Sequence, residues 1–164
     1  MTSIYSNRLL AATSAAVLSV ALLAPGLAEA RPVTLTAQLS NYNGNGAYLA
    51  IYVTDANGAY QKSLWLAGGK PKYWKHLRDW ARATGGNRAE VDGVTGASVG
   101  SGRQLQVTVD VADALIDAGY EIRIDSAAEN MREAPADVVV PLTAAGAGKA
   151  VGGALYIKSF QYDM

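Results

Sequence analysis

The segment Val91–Gly102 reads V-D-G-V-T-G-A-S-V-G-S-G. It gathers three side-chain hydroxyls (Thr95, Ser98, Ser101) and one carboxylate (Asp92) on a backbone with no bulky residue. A hydroxyl serves as a nucleophile when it is accessible and a base takes its proton. Gly93, Gly96, Gly100 and Gly102 keep the loop slim and let a ligand or another chain approach its backbone closely. Composition alone also fits a long surface turn between two strands.

The other reactive side chains are sparse. His76 is the sole histidine and there is no cysteine. A metal site needs several ligands, so none forms around His76, which is expected at the surface or an interface. A hydrolase could be drawn from Ser98, His76 and an aspartate. No G-x-S-x-G elbow supports it. The absence of cysteine also excludes disulfides, a lipoprotein anchor, iron–sulfur ligation and c-type haem attachment.

The order of residues in the loop is more informative than its composition. Asp92-Gly93-Val94-Thr95-Gly96-Ala97-Ser98 resembles the acceptor motif of bacterial flavin transferases. That motif runs Asp, two variable residues, Ser or Thr, Gly, Ala, then Thr or Ser. The resemblance implies FMN joined through its phosphate to the last hydroxyl, here Ser98 where Thr is usual. Asp92, Thr95, Gly96 and Ala97 complete the cofactor-binding set. Asp92 and Thr95 could orient the loop through Asx- and Ser/Thr-turn hydrogen bonds, or Asp92 could be read by the transferase. The modifying enzyme would bring FAD as FMN donor and a divalent metal of its own.

The elements that must hold this loop are mostly strands. Val33–Leu39, Arg103–Val111 and Tyr120–Ser126 alternate apolar and polar residues, the period of a half-buried strand. Ala47–Thr54 is more continuously apolar and is expected at the centre of a sheet, buried on both faces. Asp55–Gly58 reads as a hairpin turn into Gln61–Leu66, with Trp65 as a core residue. Val138–Leu142 is a short strand that Pro141 pushes to an edge. The last strand lies in Val151–Tyr162, and Ala112–Gly119 is a turn or one loose helical turn. Ala127–Asp137 reads as a polar loop.

One helix is expected, Tyr73–Ala83. Tyr73, Leu77 and Trp80 share a face that Trp74 and Ala81 widen, and Gly85-Gly86 ends it. It leads into the glycine loop, so one of its ends should lie near that loop. About seven strands with hairpin-like spacing and no βαβ pattern indicate an all-β sandwich. The helix is expected as an insertion at one end of it.

Residues 1–30 read as a secretory signal peptide. Arg8 precedes an apolar run over Leu9–Leu23, and Ala28-Glu29-Ala30 supplies a small-x-small cleavage pattern. The run is short for a membrane span and Pro25-Gly26 breaks it, so no span is expected in the mature chain. Residues 31–164 are then one domain. Cleavage removes one charge of each sign and leaves thirteen of each. Such a neutral domain has no footprint for nucleic acid and no polybasic membrane patch.

A wider resemblance covers most of this mature chain. The runs A-Y-L-A-I-Y-V-T-D-A-N-G, S-L-W-L, K-Y-W-K-H-L-R-D-W-A-R, D-G-V-T-G-A-S and A-G-Y-E-I-R-I-D-S-A-A-E resemble the predicted periplasmic proteins of domain-of-unknown-function family 2271. The resemblance implies a periplasmic, immunoglobulin-like β-sandwich. It also implies partnership with a flavin transferase and a PepSY-type or other membrane redox protein. The implied function is electron transfer by FMN covalently attached to Ser98, with no catalytic residue in the chain itself. Trp74, Trp80 or Tyr73 could stack on the flavin ring, but burial of these rings in the core is the stronger expectation. A cofactor-free module binding protein or glycan is the alternative, and a flavin-dependent reductase a third reading.

Overall fold

The computed structural model describes residues 29–164. The signal peptide read in residues 1–30 lies outside them except for its last two residues. Eight strands form two sheets: β1 (Ala30–Leu39), β2 (Tyr48–Thr54), β3 (Tyr60–Ala67), β4 (Thr95–Gly96), β5 (Gln104–Ala112), β6 (Glu121–Ala127), β7 (Ala134–Pro141) and β8 (Ile157–Asp163). One sheet runs β5-β1-β8 and the other β4-β3-β2-β6-β7. Every pairing is antiparallel except the short parallel contact of β3 with β4. The all-β sandwich expected from the alternating strands is present.

The main core lies between the sheets. The strict alternation of β1 sends Val33, Leu35, Ala37 and Leu39 inward. They meet Leu49, Ile51 and Val53 of β2 and Ile122 and Ile124 of β6. Tyr162 joins the two sheets at one corner, where its hydroxyl donates to the Pro141 and Thr143 carbonyls at 2.8 and 2.9 Å.

A second core explains why β2 reads as continuously apolar. Its other face carries Ala50 and Tyr52, which pack with Leu66 against Trp74, Leu77 and Trp80. The inserted helical segment therefore covers the outer face of the five-stranded sheet, and the expectation that it sits at one end of the sandwich is corrected. Burying two indoles there, edge to face with ring centroids 5.8 Å apart, stabilises the lid by several kcal/mol on the scale of about 25 cal/mol per Å² of apolar area.

The segment is also not a single helix. A 3₁₀ turn over Pro71–His76 is followed by α1, Arg78–Thr84, with Leu77 between them at φ −86° and ψ 78°. The break has a cause. Asp125 is fully buried on β6, and its Oδ2 accepts from the Asp79 and Trp80 amides at 2.7 and 2.9 Å. Leu77 supplies no side-chain cap, so a carboxylate from a distant strand does the work usually done by a local Ser or Asp. The other oxygen of Asp125 accepts from the Tyr52 hydroxyl (3.0 Å) and the Ala136 amide (2.9 Å). Burial pushes the Asp125 carboxyl above its ordinary value despite these donors. It likewise pushes the Tyr52 hydroxyl up. Gly85 closes α1 in the left-handed region at φ 64°, as the Gly-Gly pair suggested.

Two boundaries also differ from the sequence reading. The polar loop expected over Ala127–Asp137 is shorter, because β7 begins at Ala134. Buried Asp137 accepts amide hydrogens from Leu155 (2.7 Å), Tyr156 (2.9 Å) and Ile157 (3.2 Å). Residues 154–156 thus wrap around a carboxylate, and β8 starts only at Ile157. Pro141 lies on β7, an edge strand as expected.

Candidate functional site

The glycine loop is fastened to the sandwich at two points, with Ser98 between them. On one side Val94 O accepts from Leu66 N (2.9 Å) and Gly96 O from Gly68 N (2.8 Å), which holds β4 beside β3. On the other side Val99 is buried and exchanges both backbone hydrogen bonds with Ala47, at 2.7 and 2.9 Å. Ala97 and Ser98 span the gap and are exposed. Two anchors three residues apart leave a short, rigid bridge that presents its side chain outward.

The glycines around this bridge are fixed by sterics. A Cβ on Gly96 would stand 2.8 Å from Trp65 Cζ2, so β4 approaches β3 only because Gly96 has none. A Cβ on Gly46 would stand 2.8 Å from Ser98 Oγ. Gly68 adopts φ +122°, and a Cβ there would lie inside the Tyr48 ring. Trp65 is half-buried against the main core, as expected of it.

The three hydroxyls divide by role. Ser101 Oγ accepts from the Tyr42 and Asn43 amides (3.0 and 3.2 Å) and donates to Asn41 Oδ1 (3.2 Å), so it is structural. Thr95 and Ser98 are exposed, and among the described residues neither hydroxyl has an intramolecular partner. The Asp92 carboxylate also has none, so the turn hydrogen bonds expected of Asp92 and Thr95 do not form. Asn87 instead caps the preceding 3₁₀ turn through Ala89 N at 3.1 Å.

Ser98 borders a groove of about 670 Å³, a size that suits a drug-sized ligand. Tyr48 and Tyr73 form one aromatic wall, edge to face with centroids 5.5 Å apart. The other wall is the 128–133 loop, with Met131 and Arg132. Asn45 Nδ2 ties the near rim to this loop by donating to Glu129 Oε2 at 3.0 Å, and the Tyr156 hydroxyl braces it from below through Arg132 O. Lys70 and Arg132 reach the groove, and neither has an ion-pair partner among the described residues.

His76 also lines the groove, and its Nδ1 lies 2.6 Å from Glu133 Oε1. Arg78 donates to the other oxygen at 3.0 Å. The hydrogen bond with His76 holds the Glu133 carboxyl below its ordinary value, with Arg78 adding to it against a push from burial. A lowered carboxylate lends stability above its unfolded value and loses it as pH falls through the folded one. The stability gap between wild type and Glu133→Gln is expected to be about 1 kcal/mol or less at pH 6 and to shrink as pH falls from the ordinary glutamate range through the lowered folded value. Urea denaturation at a series of pH values checks this; a gap that persists unchanged at low pH contradicts it. No group of three or more metal-binding side chains occurs among the described residues.

Trp74 and Trp80 are 5 % and 0 % exposed, buried as the stronger expectation had it, and unavailable to any ligand. Tyr73 alone faces the groove. Sequence reasoning missed Tyr48, Lys70 and Arg132, which come from three stretches with no shared local pattern. The buried carboxylate in I-R-I-D-S was the one signal of the lid's anchor.

No curated protein and no solved structure matches the chain. A family model, described as a predicted periplasmic protein, matches residues 30–159, which span β1 to β8 and include the Asp92–Ser98 motif. No helix among the described residues is long and apolar enough to cross a membrane. The match covers most of the sequence, and the chain therefore belongs to the DUF2271 family of periplasmic proteins.

Proposed function

We propose that this protein is a periplasmic electron carrier whose FMN is attached by a phosphoester bond to Ser98, installed by a flavin transferase. The observation that carries the reading is the placement of Ser98. It has a free, exposed hydroxyl at the centre of the acceptor motif's bridge, and that bridge borders a ligand-sized groove. The residues fit such a group: no side chain blocks the hydroxyl, and Gly46 and Gly96 keep its approach slim.

Attachment balances as a phosphoryl transfer. Ser98 Oγ forms a bond to the FMN-side phosphorus of FAD, the pyrophosphate bond breaks, AMP leaves, and the hydroxyl proton passes to the transferase. The transferase also supplies the metal that offsets the phosphoryl charge. Once bound, the flavin supplies one- and two-electron chemistry that no side chain of this cysteine-free chain offers. A PepSY-type or similar membrane redox protein is the partner class this reading implies.

The test is intact mass after co-expression with a flavin transferase in an exporting host. Wild type gains the mass of FMN minus one water, and Ser98→Ala gains nothing. Flavin incorporation that survives in Ser98→Ala overturns the site. No gain in the wild type leaves a cofactor-free sandwich.

A further inference from the structure

We infer that the groove beside Ser98 is the seat of the flavin ring, with the Tyr48–Tyr73 wall packing the isoalloxazine and Lys70 and Arg132 serving its electron-rich pyrimidine end. This rests on the reading of Ser98 as the attachment site. It adds where the ring resides and which residues set its affinity for electrons.

Reach allows it. About eight bonds separate Ser98 Oγ from the ring nitrogen that bears the ribityl chain, a span of roughly 10 Å when extended. Ser98 and Tyr73 line the same groove of about 670 Å³, so the tether need only cross it. Ser98 and Gly46 line the groove together, and a Cβ on Gly46 would stand 2.8 Å from Ser98 Oγ.

The walls suit a flat, polarisable ring. Tyr48 and Tyr73 are half-buried and brace one another edge to face. Lys72 does not line the groove; its Nζ stands 4.8 Å from the Tyr73 ring centroid and holds that ring from outside. Met131, 39 % exposed, also lines the groove. A large apolar side chain this exposed in a groove lining gains contact when a ring enters, and a thioether packs well on aromatic surface.

The charges suit the reduced ring. Two-electron reduction of FMN with uptake of one proton at N5 adds one negative charge, spread over N1 and the C2 carbonyl. Periplasmic electron-carrying proteins supply the electrons in place, and dithionite does so in the test. Of the acidic groups that line the groove, Glu133 is held by His76 and Arg78, and Glu129 by Asn45. The Asn45 amide orients Glu129 without neutralising it, so among the described residues the charges at the groove with no ion-pair partner are Lys70, Arg132 and Glu129, an excess of one positive charge. In a partly desolvated groove a cation favours the more negative oxidation state.

Two readouts on the flavin-loaded chain test the seat, each after intact mass has shown attachment. The first is quenching of flavin fluorescence by iodide. The native wild type is expected to be quenched several-fold less efficiently than the same protein in urea. Tyr73→Ala loses most of that protection, and Tyr73→Phe, which keeps a ring, retains it. The second is the midpoint potential under dithionite titration. Removing both cations (Lys70→Met with Arg132→Met) disfavours the reduced form about tenfold, about 30 mV for a two-electron couple. Wild-type flavin as accessible to iodide as the denatured sample, or a potential unmoved by loss of both cations, overturns the seat while attachment to Ser98 stands. Absence of the mass gain overturns the attachment and the seat with it.

Discussion

Asp125→Ala is expected to cost about 3–5 kcal/mol, the range for breaking a buried, hydrogen-bonded charge. The carboxylate is wholly buried and receives four donors: the Tyr52 hydroxyl and the amides of Asp79, Trp80 and Ala136. Its removal strands all four, and each buried unpaired donor costs about 1–3 kcal/mol. The losses do not simply add, because water can enter the space left behind. Asp125→Asn is expected to fare nearly as badly. One of its amide faces must present N–H to N–H, either toward Asp79 and Trp80 or toward Ala136 and Tyr52. Urea denaturation gives the total. Hydrogen exchange at the Asp79 and Trp80 amides locates the damage at the start of α1. A loss under about 1 kcal/mol would mean that α1 holds its place by apolar packing alone.

Gly68→Ala carries the second large effect, expected at about 3 kcal/mol from two sources. The residue sits at φ +122°, where any Cβ is strained, and its Cβ would fall 2.0 Å from Tyr48 Cδ1. Both neighbours of Gly68 matter to the site. Its amide holds Gly96 of the acceptor bridge at 2.8 Å, and its carbonyl accepts from Trp74 Nε1 at 2.8 Å. The substitution therefore loosens β4, the lid and the Tyr48 wall together. A double-mutant cycle separates the sources: adding Tyr48→Ala to Gly68→Ala is expected to remove the clash and leave about 1–2 kcal/mol of backbone strain. Gly68→Ala within about 0.5 kcal/mol of wild type would show that neither constraint exists.

These two positions show where sequence reasoning reached and where it stopped. Period-two alternation in Tyr120–Ser126 correctly put Asp125 on the face opposite Ile122 and Ile124. It could not say that the opposite face was covered, because alternation reports sides and not what lies on them. The 3.6-residue stripe of Tyr73, Leu77 and Trp80 likewise marked an apolar face, and Leu77 and Trp80 are buried. The stripe could not foresee the break at Leu77, which is imposed by a carboxylate more than forty residues away in the chain. Strand β2 was legible on both counts, since its continuous apolar run already required two covered faces.

The glycine loop was legible as a motif because its residues are consecutive. Seven consecutive residues carry it, and in the structure Gly96 passes Trp65, Val99 beyond the motif is buried, and Ser98 between them is exposed. The groove was not legible. Its walls come from the 45–48, 70–76 and 127–133 stretches, and only folding brings these together. Gly68 carried no sequence signal beyond being one glycine in a loop, since its constraint is the ring of Tyr48 from another strand.

The central claim is that Ser98, and no other hydroxyl, carries the flavin. Trypsin cleavage after Arg88 and Arg103 isolates residues 89–103, whose hydroxyl side chains are Thr95, Ser98 and Ser101. Tandem mass spectrometry of this peptide from protein co-expressed with a flavin transferase tests the claim directly. The expected result is the mass of FMN minus one water on the fragments that contain Ser98, with Thr95 and Ser101 unmodified. The same mass on Thr95, or on a peptide elsewhere in the chain, would contradict it.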